Sequence, residues 1–468
     1  MIKTTPFHDR LSELNTQGLY THWQGHLSAL RYTHAPKHEY FAVRNAVGVF
    51  DTSPLFKYRI HGPDAERFLA GVLTRDVRRC RPGQAQYTLW CDDRGFVMED
   101  GVVFRHSESD FLLTAARPSY GWFSDLRGRL RVAIEDVSDD YGILAIQGPR
   151  SRAVLSGLVA EADTLPYFGQ TQTKIGSAPV TLSRTGYTGD LGFEITVEAE
   201  HAIDVLDSII EAGRPHSLRP FGEEALMMLR IEAGLPLIDV EWTNSRLAFT
   251  DHDRVTPIEL GMGWMLRGLA DDDRAFMGGA AIRREVTEGT SRWSSVGIVV
   301  DWEHWNQLHR DAGQLPTKDE HPLDYESVLH DRATTEGGTQ VGYVTSFFYS
   351  PVLQRHIGLA RVRPEHAAPG TEVHMEVALN HSNTTVRAST AKTPLFNPAR
   401  KTAKPGRPVR RRTTRSWSAV ATTGWSTPAT WPRRACARWC SSRTAWSAAR
   451  RSPRSSFPAS RSRRFPTP

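Results

Sequence analysis

The composition of the chain changes abruptly near residue 400, and this change restricts the folded part to the residues before it. The last 68 of the 468 residues use only eleven residue types and contain no Leu, Ile or Met. A segment with so few aliphatic side chains buries too little apolar surface to offset the entropy that it loses on ordering. We therefore predict a disordered basic tail over residues 401–468 and a core confined to the first 400 residues.

The net charge divides at the same place. The tail carries 15 Arg and 2 Lys with no acid, whereas the first 400 residues contain 41 basic and 52 acidic residues, a net charge of −11. The overall charge of +6 is thus a property of the tail and does not indicate a nucleic-acid-binding body. Three interpretations of the tail stay open: an out-of-frame translation product of GC-rich DNA, which we favour, a solvated appendage, and an RNA-binding arm.

The first 400 residues have the composition of a globular protein without membrane segments. Hydrophobic types make up 39% of the chain, and no run approaches the roughly 18 apolar residues of a membrane helix. The first ten residues lack the apolar stretch of a signal peptide, and only Cys80 and Cys91 precede the tail. With no Cys/His cluster at metal-binding spacing, we predict a cytoplasmic protein without a disulfide framework or a metal.

The order of the predicted elements indicates an α+β protein that ends in a β-barrel. Helical segments over 62–71, 202–212 and 222–233 alternate with short apolar strands in the first half. From residue 296 onward, strands separated by Gly and Pro turns are typical of a small barrel. We predict two interleaved α+β subdomains over 1–290, joined by a polar linker at 283–295 to a barrel over 291–400.

Seven segments, in order, resemble the glycine cleavage T-protein (aminomethyltransferase) superfamily, whose members bind tetrahydrofolate. The most specific are Ser183-Arg-Thr-Gly-Tyr-Thr-Gly-Asp-Leu-Gly-Phe-Glu194 and Leu229-Arg-Ile-Glu-Ala-Gly234. The other five are residues 42–51, 60–69, 145–149, 261–264 and 345–360. The resemblance covers about residues 38–395. It implies three domains in a cloverleaf around a central channel that holds folate.

The glycine-rich segment has residue types that suit a flat heterocyclic ligand. Its three Gly within seven positions permit turns and close ligand approach. Tyr187 offers a ring and a hydroxyl, and Glu194 a carboxylate, for the donor edge and the face of a pterin. Taken alone, the segment favours a plain Gly-rich hairpin with an exposed Glu. The ordered set of matches implies instead that Tyr187 and Glu194 bind folate.

An acid pair, Glu99-Asp100, lies on a predicted strand, where adjacent side chains face opposite ways and only one can enter a site. The resemblance implies that Asp100 is the catalytic acid and that Tyr87, Tyr167 and Trp264 also bind folate. A carboxylate near the reactive nitrogens of folate can stabilise a cationic transition state or move a proton. Without the resemblance, a solvated acid pair and core aromatics explain these residues equally well.

Three residues depart from the family's pattern around the expected donor site. Leu55 replaces a Met, Thr114 replaces an Asn, and Leu226 replaces an Arg that contacts folate. Leu cannot supply the planar donor of a guanidinium. We therefore predict that these three residues border the donor, and that the donor is a small methylated molecule rather than an aminomethyl group on a lipoyl carrier protein.

The predicted function is thus a tetrahydrofolate-dependent one-carbon transfer from a small donor, with demethylase-like chemistry favoured. Two alternatives stay open: a glycine cleavage aminomethyltransferase, and a folate-binding regulatory protein without turnover. The presence of Asp100 favours an enzyme, whereas the missing Arg at position 226 favours the non-catalytic alternative.

Overall fold

The structure, a computed structural model, describes residues 2–269, 274–318 and 320–404, without the side chains of 323–326. Within them the helices are α1 (His8–Leu14), α2 (Pro36–Asn45), α3 (Ala65–Val72), α4 (Tyr120–Arg127), α5 (Ser151–Ser156), α6 (Ala202–Gly213), α7 (Glu223–Glu232), α8 (Gly279–Glu288) and α9 (Trp302–Asp311). None of these helices is long and apolar enough to cross a bilayer.

The strands up to α7 are β1 (Leu19–Trp23), β2 (His26–Arg31), β3 (Val47–Asp51), β4 (Phe56–His61), β5 (Gln84–Cys91), β6 (Val97–Arg105), β7 (Asp110–Ala115), β8 (Ala133–Asp136), β9 (Tyr141–Gln147), β10 (Gln170–Ile175), β11 (Ala178–Ser183), β12 (Gly192–Glu198) and β13 (Leu218–Pro220). Those after it are β14 (Ser294–Val300), β15 (Leu323–His330), β16 (Gln340–Ser350), β17 (Arg355–Val362), β18 (Glu372–Leu379) and β19 (Ser382–Ala391). The predicted α+β class is confirmed.

Two sheets make up the first half, and the chain builds one of them inside the other. A six-stranded sheet has the order β10-β11-β12-β9-β3-β13, and a five-stranded sheet has the order β5-β6-β7-β4-β8. Because β3 precedes and β9 follows the whole five-stranded sheet, the smaller unit is an insertion in the larger one. This topology supports the division of residues 1–290 into two interleaved subdomains, which stays a prediction.

Each sheet buries one face against its own helices. In the six-stranded unit, Leu144 and Ile195 pack with Val205 of α6, and in the five-stranded unit, Tyr58 packs with Phe123 of α4. The alternation of side chains along a strand leaves the other face of each sheet free to meet a neighbouring unit. Helix α7 lies at such a junction, because its apolar residues pack with those of β16 and β17.

The C-terminal barrel is confirmed as a closed six-stranded structure with the order β14-β17-β16-β15-β18-β19. Strand β18 has the alternation that is typical of a barrel strand: Val373, Met375 and Val377 point into the core, and the residues between them face outward. Helix α9, which the sequence did not predict, begins where the Asp301 carboxylate accepts hydrogen bonds from the amides of Glu303 and His304 at 3.0 and 3.1 Å.

Ordered structure extends into two segments that were predicted to be irregular. Helix α8 takes up residues 283–288 of the segment predicted as a linker over 283–295, because Ile282 and Glu285 are buried on one face of an otherwise polar sequence, and β14 begins at Ser294. The tail was predicted to start at 401, but Arg184 donates hydrogen bonds to the carbonyls of Lys401 and Ala403 at 3.0 and 2.9 Å. Composition cannot register such single contacts. From residue 405 onward, the predicted tail lies outside the described residues.

Candidate active site

A cavity of about 930 Å³ lies where the two sheets, α7 and the barrel meet. It is large enough for a ligand of the size of a nucleotide or a vitamin. All nine residues that the sequence singled out line this cavity, although they come from separate segments: Leu55, Tyr87, Asp100, Thr114, Tyr167, Tyr187, Glu194, Leu226 and Trp264. The structure therefore brings the whole predicted set together.

The acid pair divides as the alternation of a strand requires. Asp100 lines the cavity, whereas Glu99 is fully buried and is not among the lining residues. The Tyr87 hydroxyl donates a hydrogen bond of 2.6 Å to Asp100 Oδ2. Burial raises the pKa of Asp100, and the hydrogen bond from Tyr87 opposes this rise by favouring the carboxylate. Burial and the adjacent charge of Asp100 also raise the pKa of Glu99 well above its usual range.

The carboxylate of Glu194 is positioned by hydroxyl groups on the glycine-rich segment. The Thr185 hydroxyl donates to Glu194 Oε2, and the Ser183 and Thr185 hydroxyl oxygens lie 2.7 Å apart. Burial raises the pKa of Glu194. Tyr187 is anchored from its far end, because its hydroxyl donates to the Pro236 carbonyl at 2.5 Å. The ring of Tyr187 is therefore fixed at the cavity wall, with its hydroxyl already used.

The glycines of this segment serve packing within the protein. A Cβ atom at Gly186 or Gly192 would lie 2.1 Å from Gln147 Oε1. The Gln147 amide occupies that space and donates to the carbonyls of Thr185 and Phe193 at 3.3 and 3.1 Å. The three glycines were predicted to permit the close approach of a ligand. At Gly186 and Gly192, the group that approaches closely is the Gln147 side chain instead.

The three residues predicted to border the donor form part of a mostly apolar wall. Leu226 is only 7% exposed and belongs to the core between α7 and the barrel, yet it also borders the cavity. The Thr114 hydroxyl donates to the Val102 carbonyl at 3.4 Å. Met227 follows Leu226 into the lining, and Leu55 joins it from the turn before β4. Position 226 thus presents no charge to the cavity.

Two aromatic residues of the set lie at the rim of the cavity. Trp264 is 43% exposed and Tyr167 is 39% exposed, so neither is a core residue. The Arg75 guanidinium carbon lies 5.2 Å from the centroid of the Trp264 ring, and Tyr167 packs edge-on against Phe168. Both rings therefore remain available to a ligand that extends toward the surface.

The sequence analysis missed several charged residues of the lining. Arg75, Arg361, Glu223 and Glu241 all border the cavity. Glu241 accepts a hydrogen bond of 2.7 Å from Arg230, which fixes the loop whose carbonyls hold Tyr187. Of these four residues, only Arg361 could have been found from the sequence, because it interrupts the apolar run of a barrel strand. The others lie in loops or at the start of a helix, where no hydrophobic periodicity marks them.

Family models match most of the chain. Residues 7–268 match the GCVT N-terminal domain, and residues 315–397 match the glycine cleavage T-protein C-terminal barrel domain. An aminomethyltransferase of Shouchella clausii is 33% identical over 367 residues, which cover 77% of this chain and 89% of that protein. An aminomethyltransferase of Caldanaerobacter subterraneus subsp. tengcongensis is 32% identical over 343 residues, which cover 72% and 82% of the two chains.

A solved structure supports the same conclusion for the fold. The glycine cleavage system aminomethyltransferase T from Bartonella henselae matches with a TM-score of 0.71 and 22% sequence identity, over 85% of this chain and 99% of that one. The resemblance inferred from the seven sequence segments is confirmed. The chain belongs to the glycine cleavage T-protein family of aminomethyltransferase enzymes.

Proposed function

We propose that this protein transfers the methylene carbon of a carrier-bound aminomethyl group to tetrahydrofolate, with release of its nitrogen as ammonia and of the carrier's thiol. The observation that carries the proposal is the convergence of Asp100, Tyr87, Tyr187 and Glu194 on one cavity of about 930 Å³. The sequence analysis favoured a small methylated donor, but the relatives carry the name aminomethyltransferase. The preference for demethylation is therefore not supported, and the glycine cleavage alternative, with its lipoyl carrier protein, is the better supported of the two.

The side chains of the cavity fit tetrahydrofolate. Glu194 accepts a hydrogen bond from Thr185 on one oxygen, and its other oxygen has no side-chain partner in the part of the chain that the structure describes. That oxygen suits the N–H donors at the edge of a pterin, and the ring of Tyr187 suits its face. Tetrahydrofolate, when bound, supplies the nitrogens that accept the one-carbon unit.

Asp100 is the group that we assign to the chemistry. Its carboxylate lines the cavity and accepts a hydrogen bond from the Tyr87 hydroxyl, and a carboxylate has lone pairs for further partners. In a site of low polarity, such a carboxylate stabilises the positive charge that develops as the carbon–sulfur bond of an aminomethyl thioether breaks. It can also take a proton from the attacking nitrogen and deliver it toward the departing ammonia.

The replacement of Glu194 by Gln is expected to weaken the binding of tetrahydrofolate about 10-fold to 100-fold. The amide keeps the size of the side chain and an acceptor for Thr185, but loses the charge that strengthens hydrogen bonds to a pterin. Isothermal titration calorimetry measures the dissociation constant. Glu198→Gln, at the exposed end of the same strand, is the matched control and should bind as the native protein does. Equal affinities of the Glu194 and Glu198 variants would remove Glu194 from the site.

The replacement of Tyr87 by Phe is expected to move the acidic limb of the pH–rate profile upward by about one pH unit. Turnover needs ionised Asp100, so it falls as the pH drops through the pKa of Asp100, which burial already raises. The Tyr87 hydrogen bond favours the carboxylate, and its loss raises this pKa further. The measurement is kcat against pH at saturating folate. Tyr187→Phe, whose hydroxyl bonds to Pro236 instead, should leave the limb where it is.

The function itself is tested with an aminomethylated lipoyl carrier protein as the donor. We expect the formation of methylenetetrahydrofolate together with the release of ammonia and of the carrier's free thiol. A second assay offers free methylamines and methylated aromatics. Transfer from those small donors alone would overturn the aminomethyl assignment, and tetrahydrofolate binding without transfer from any donor would favour the non-catalytic alternative.

A further inference from the structure

Glu223 places a carboxylate on the cavity wall at the start of α7. It is the first residue of this helix and lines the cavity. Its Oε1 atom is buried and has no hydrogen-bond partner among the described residues. Burial raises the pKa of Glu223, and the hydroxyl of Ser28 opposes this rise. A buried carboxylate oxygen is costly unless a donor or a cation compensates it, so Glu223 suits a positively charged ligand.

Apolar side chains flank Glu223 on the cavity wall. Leu226 and Met227 follow it three and four residues later, on the same side of α7, and both line the cavity. Trp23, at the end of β1, also lines the cavity and packs against the apolar cluster that contains Leu226. A carboxylate beside aliphatic side chains and an indole ring suits an alkylammonium ion, because the aliphatic groups exclude water and the face of the ring attracts a cation.

Strand β3 connects the start of α7 with the proposed catalytic acid. It pairs with β13, which leads into α7 and Glu223, and it continues into the turn that carries Leu55. Leu55 precedes β4, which pairs with β7. Ala115 of β7 pairs in turn with Gly101, the residue after Asp100. The wall that holds Glu223 therefore continues to Asp100 through neighbouring strands.

The proposed transfer releases ammonia inside this cavity. The methylene carbon exchanges its bonds to sulfur and nitrogen for bonds to two nitrogens of tetrahydrofolate. The two protons that those nitrogens lose leave on the carrier's thiol and on ammonia. Ammonia is protonated at neutral pH, so the nitrogen departs from the cavity as a cation, and a carboxylate near its route stabilises it.

We propose that Glu223 binds the nitrogen of the donor as an ammonium group, first as the protonated amine of the aminomethyl group and then as the released ammonium ion. This inference rests on the proposed function and adds the position of the nitrogen, which lies toward the start of α7. Glu223 is thus a residue that determines specificity for an amine-bearing donor.

A purely structural role at the start of the helix makes a different prediction. The dipole of α7 stabilises a carboxylate anywhere in its first turn, and Glu224 occupies the next position in that turn. Glu224 is not among the lining residues of the cavity, and its Oε2 lies 3.6 Å from Arg31 Nη1. A structural role therefore predicts similar effects from both glutamates, whereas an ammonium site predicts an effect on the donor from Glu223 alone.

The test compares two lipoyl carrier proteins, one with an S-aminomethyl group and one with an S-ethyl group, which has the same size and no charge. Calorimetry without folate measures binding in the absence of turnover. The native protein should bind the S-aminomethyl carrier about 10-fold or more tightly than the S-ethyl carrier, and Glu223→Gln should abolish this preference without weakening the S-ethyl carrier. Glu224→Gln should keep the native preference. Glu223→Asp, with the charge on a shorter side chain, should keep part of it.

The reverse reaction provides a readout with ammonium itself. It starts from methylenetetrahydrofolate, the reduced carrier and ammonium chloride. Glu223→Gln should raise the KM for ammonium about 10-fold or more, while the KM for methylenetetrahydrofolate stays at its native value. Glu224→Gln should change neither constant.

The outcomes separate this proposal from the proposed function. Equal affinity of the native protein for the two carriers overturns the ammonium site without recourse to any variant. Equal weakening of both carriers by Glu223→Gln, an unchanged KM for ammonium, or the same selective loss in Glu224→Gln also overturns it. In each of these cases, formation of methylenetetrahydrofolate by the native protein leaves the proposed function intact. Failure of the native protein to form methylenetetrahydrofolate from the S-aminomethyl carrier overturns the proposed function and the ammonium site together.

Discussion

Asp100→Asn is expected to lower kcat by roughly a hundredfold to ten-thousandfold while the dissociation constant of tetrahydrofolate changes little. The amide keeps the shape of the side chain and an acceptor for the Tyr87 hydroxyl, which lies 2.6 Å from Oδ2 in the native protein. It cannot accept a proton or hold a full negative charge opposite a developing cation, which is where positioned carboxylates contribute to a rate. Single-turnover formation of methylenetetrahydrofolate, with calorimetry on the same samples, separates the two effects.

The matched control is Asp110→Asn on the neighbouring strand β7. Asp110 makes an exposed ion pair with Arg59, with 3.2 Å between Oδ1 and Nε, and does not line the cavity. This variant should turn over as the native protein does. Retention of most of the native kcat by Asp100→Asn would remove Asp100 from the mechanism, whereas a joint loss of kcat and folate affinity would make it a binding residue.

The second large effect is expected in stability. Arg44 of α2 is 4% exposed, and its partners include Glu232 Oε2 at 2.6 Å, the Thr188 carbonyl at 2.9 Å and Asp190 Oδ2 at 3.4 Å. Arg44→Met removes the cation and leaves two buried carboxylates with less compensation. Breaking a buried ion pair in this way costs about 3–5 kcal/mol of the free energy of unfolding. Denaturant unfolding followed by circular dichroism measures it.

Arg59→Met serves as the control for stability, because it removes the same charge from an exposed pair with Asp110. Exposed pairs contribute about 0–1 kcal/mol. A loss in Arg44→Met no greater than in Arg59→Met would mean that water or neighbouring groups compensate Glu232 and Asp190. The loss of stability in Arg44→Met also bears on the candidate site, because Thr188 and Asp190 belong to the segment that carries Tyr187 and leads into Glu194.

The two most specific sequence motifs, residues 183–194 and 229–234, pack against each other. This packing explains a glycine that the sequence analysis had related to a ligand. Gly189 has a left-handed φ of 72°, and a Cβ there would lie 2.5 Å from the Cβ of Ala233. Glu232, next to Ala233, is the main partner of Arg44. Much of the glycine-rich segment and of Leu229-Arg-Ile-Glu-Ala-Gly234 therefore builds the wall behind the cavity, while Tyr187 and Glu194 face into it.

Sequence patterns were reliable where the controlling interaction is local. Alternation along β6 predicted that only one of Glu99 and Asp100 enters a site, since neighbouring side chains of a strand leave opposite faces. The resemblance selected Asp100, which lines the cavity, whereas Glu99 does not. The spaced apolar strands predicted the barrel for the same reason. Sequence patterns did not predict α8, whose mostly polar sequence contains only a narrow buried stripe, and they did not predict α9.

From composition, the sequence by itself predicted a folded body of about 400 residues. Through the resemblance that its ordered motifs carry, it also predicted the family and the nine residues that line the cavity. Only the tertiary structure decided which charges find partners. Arg44 meets Glu232 across 188 residues of sequence, whereas Arg361 donates to the Tyr343 hydroxyl and forms no ion pair with an acid in the described part of the chain. Ion pairing depends on distances of a few ångströms between segments that only packing brings together, so the sequence could not show which arginines form buried ion pairs.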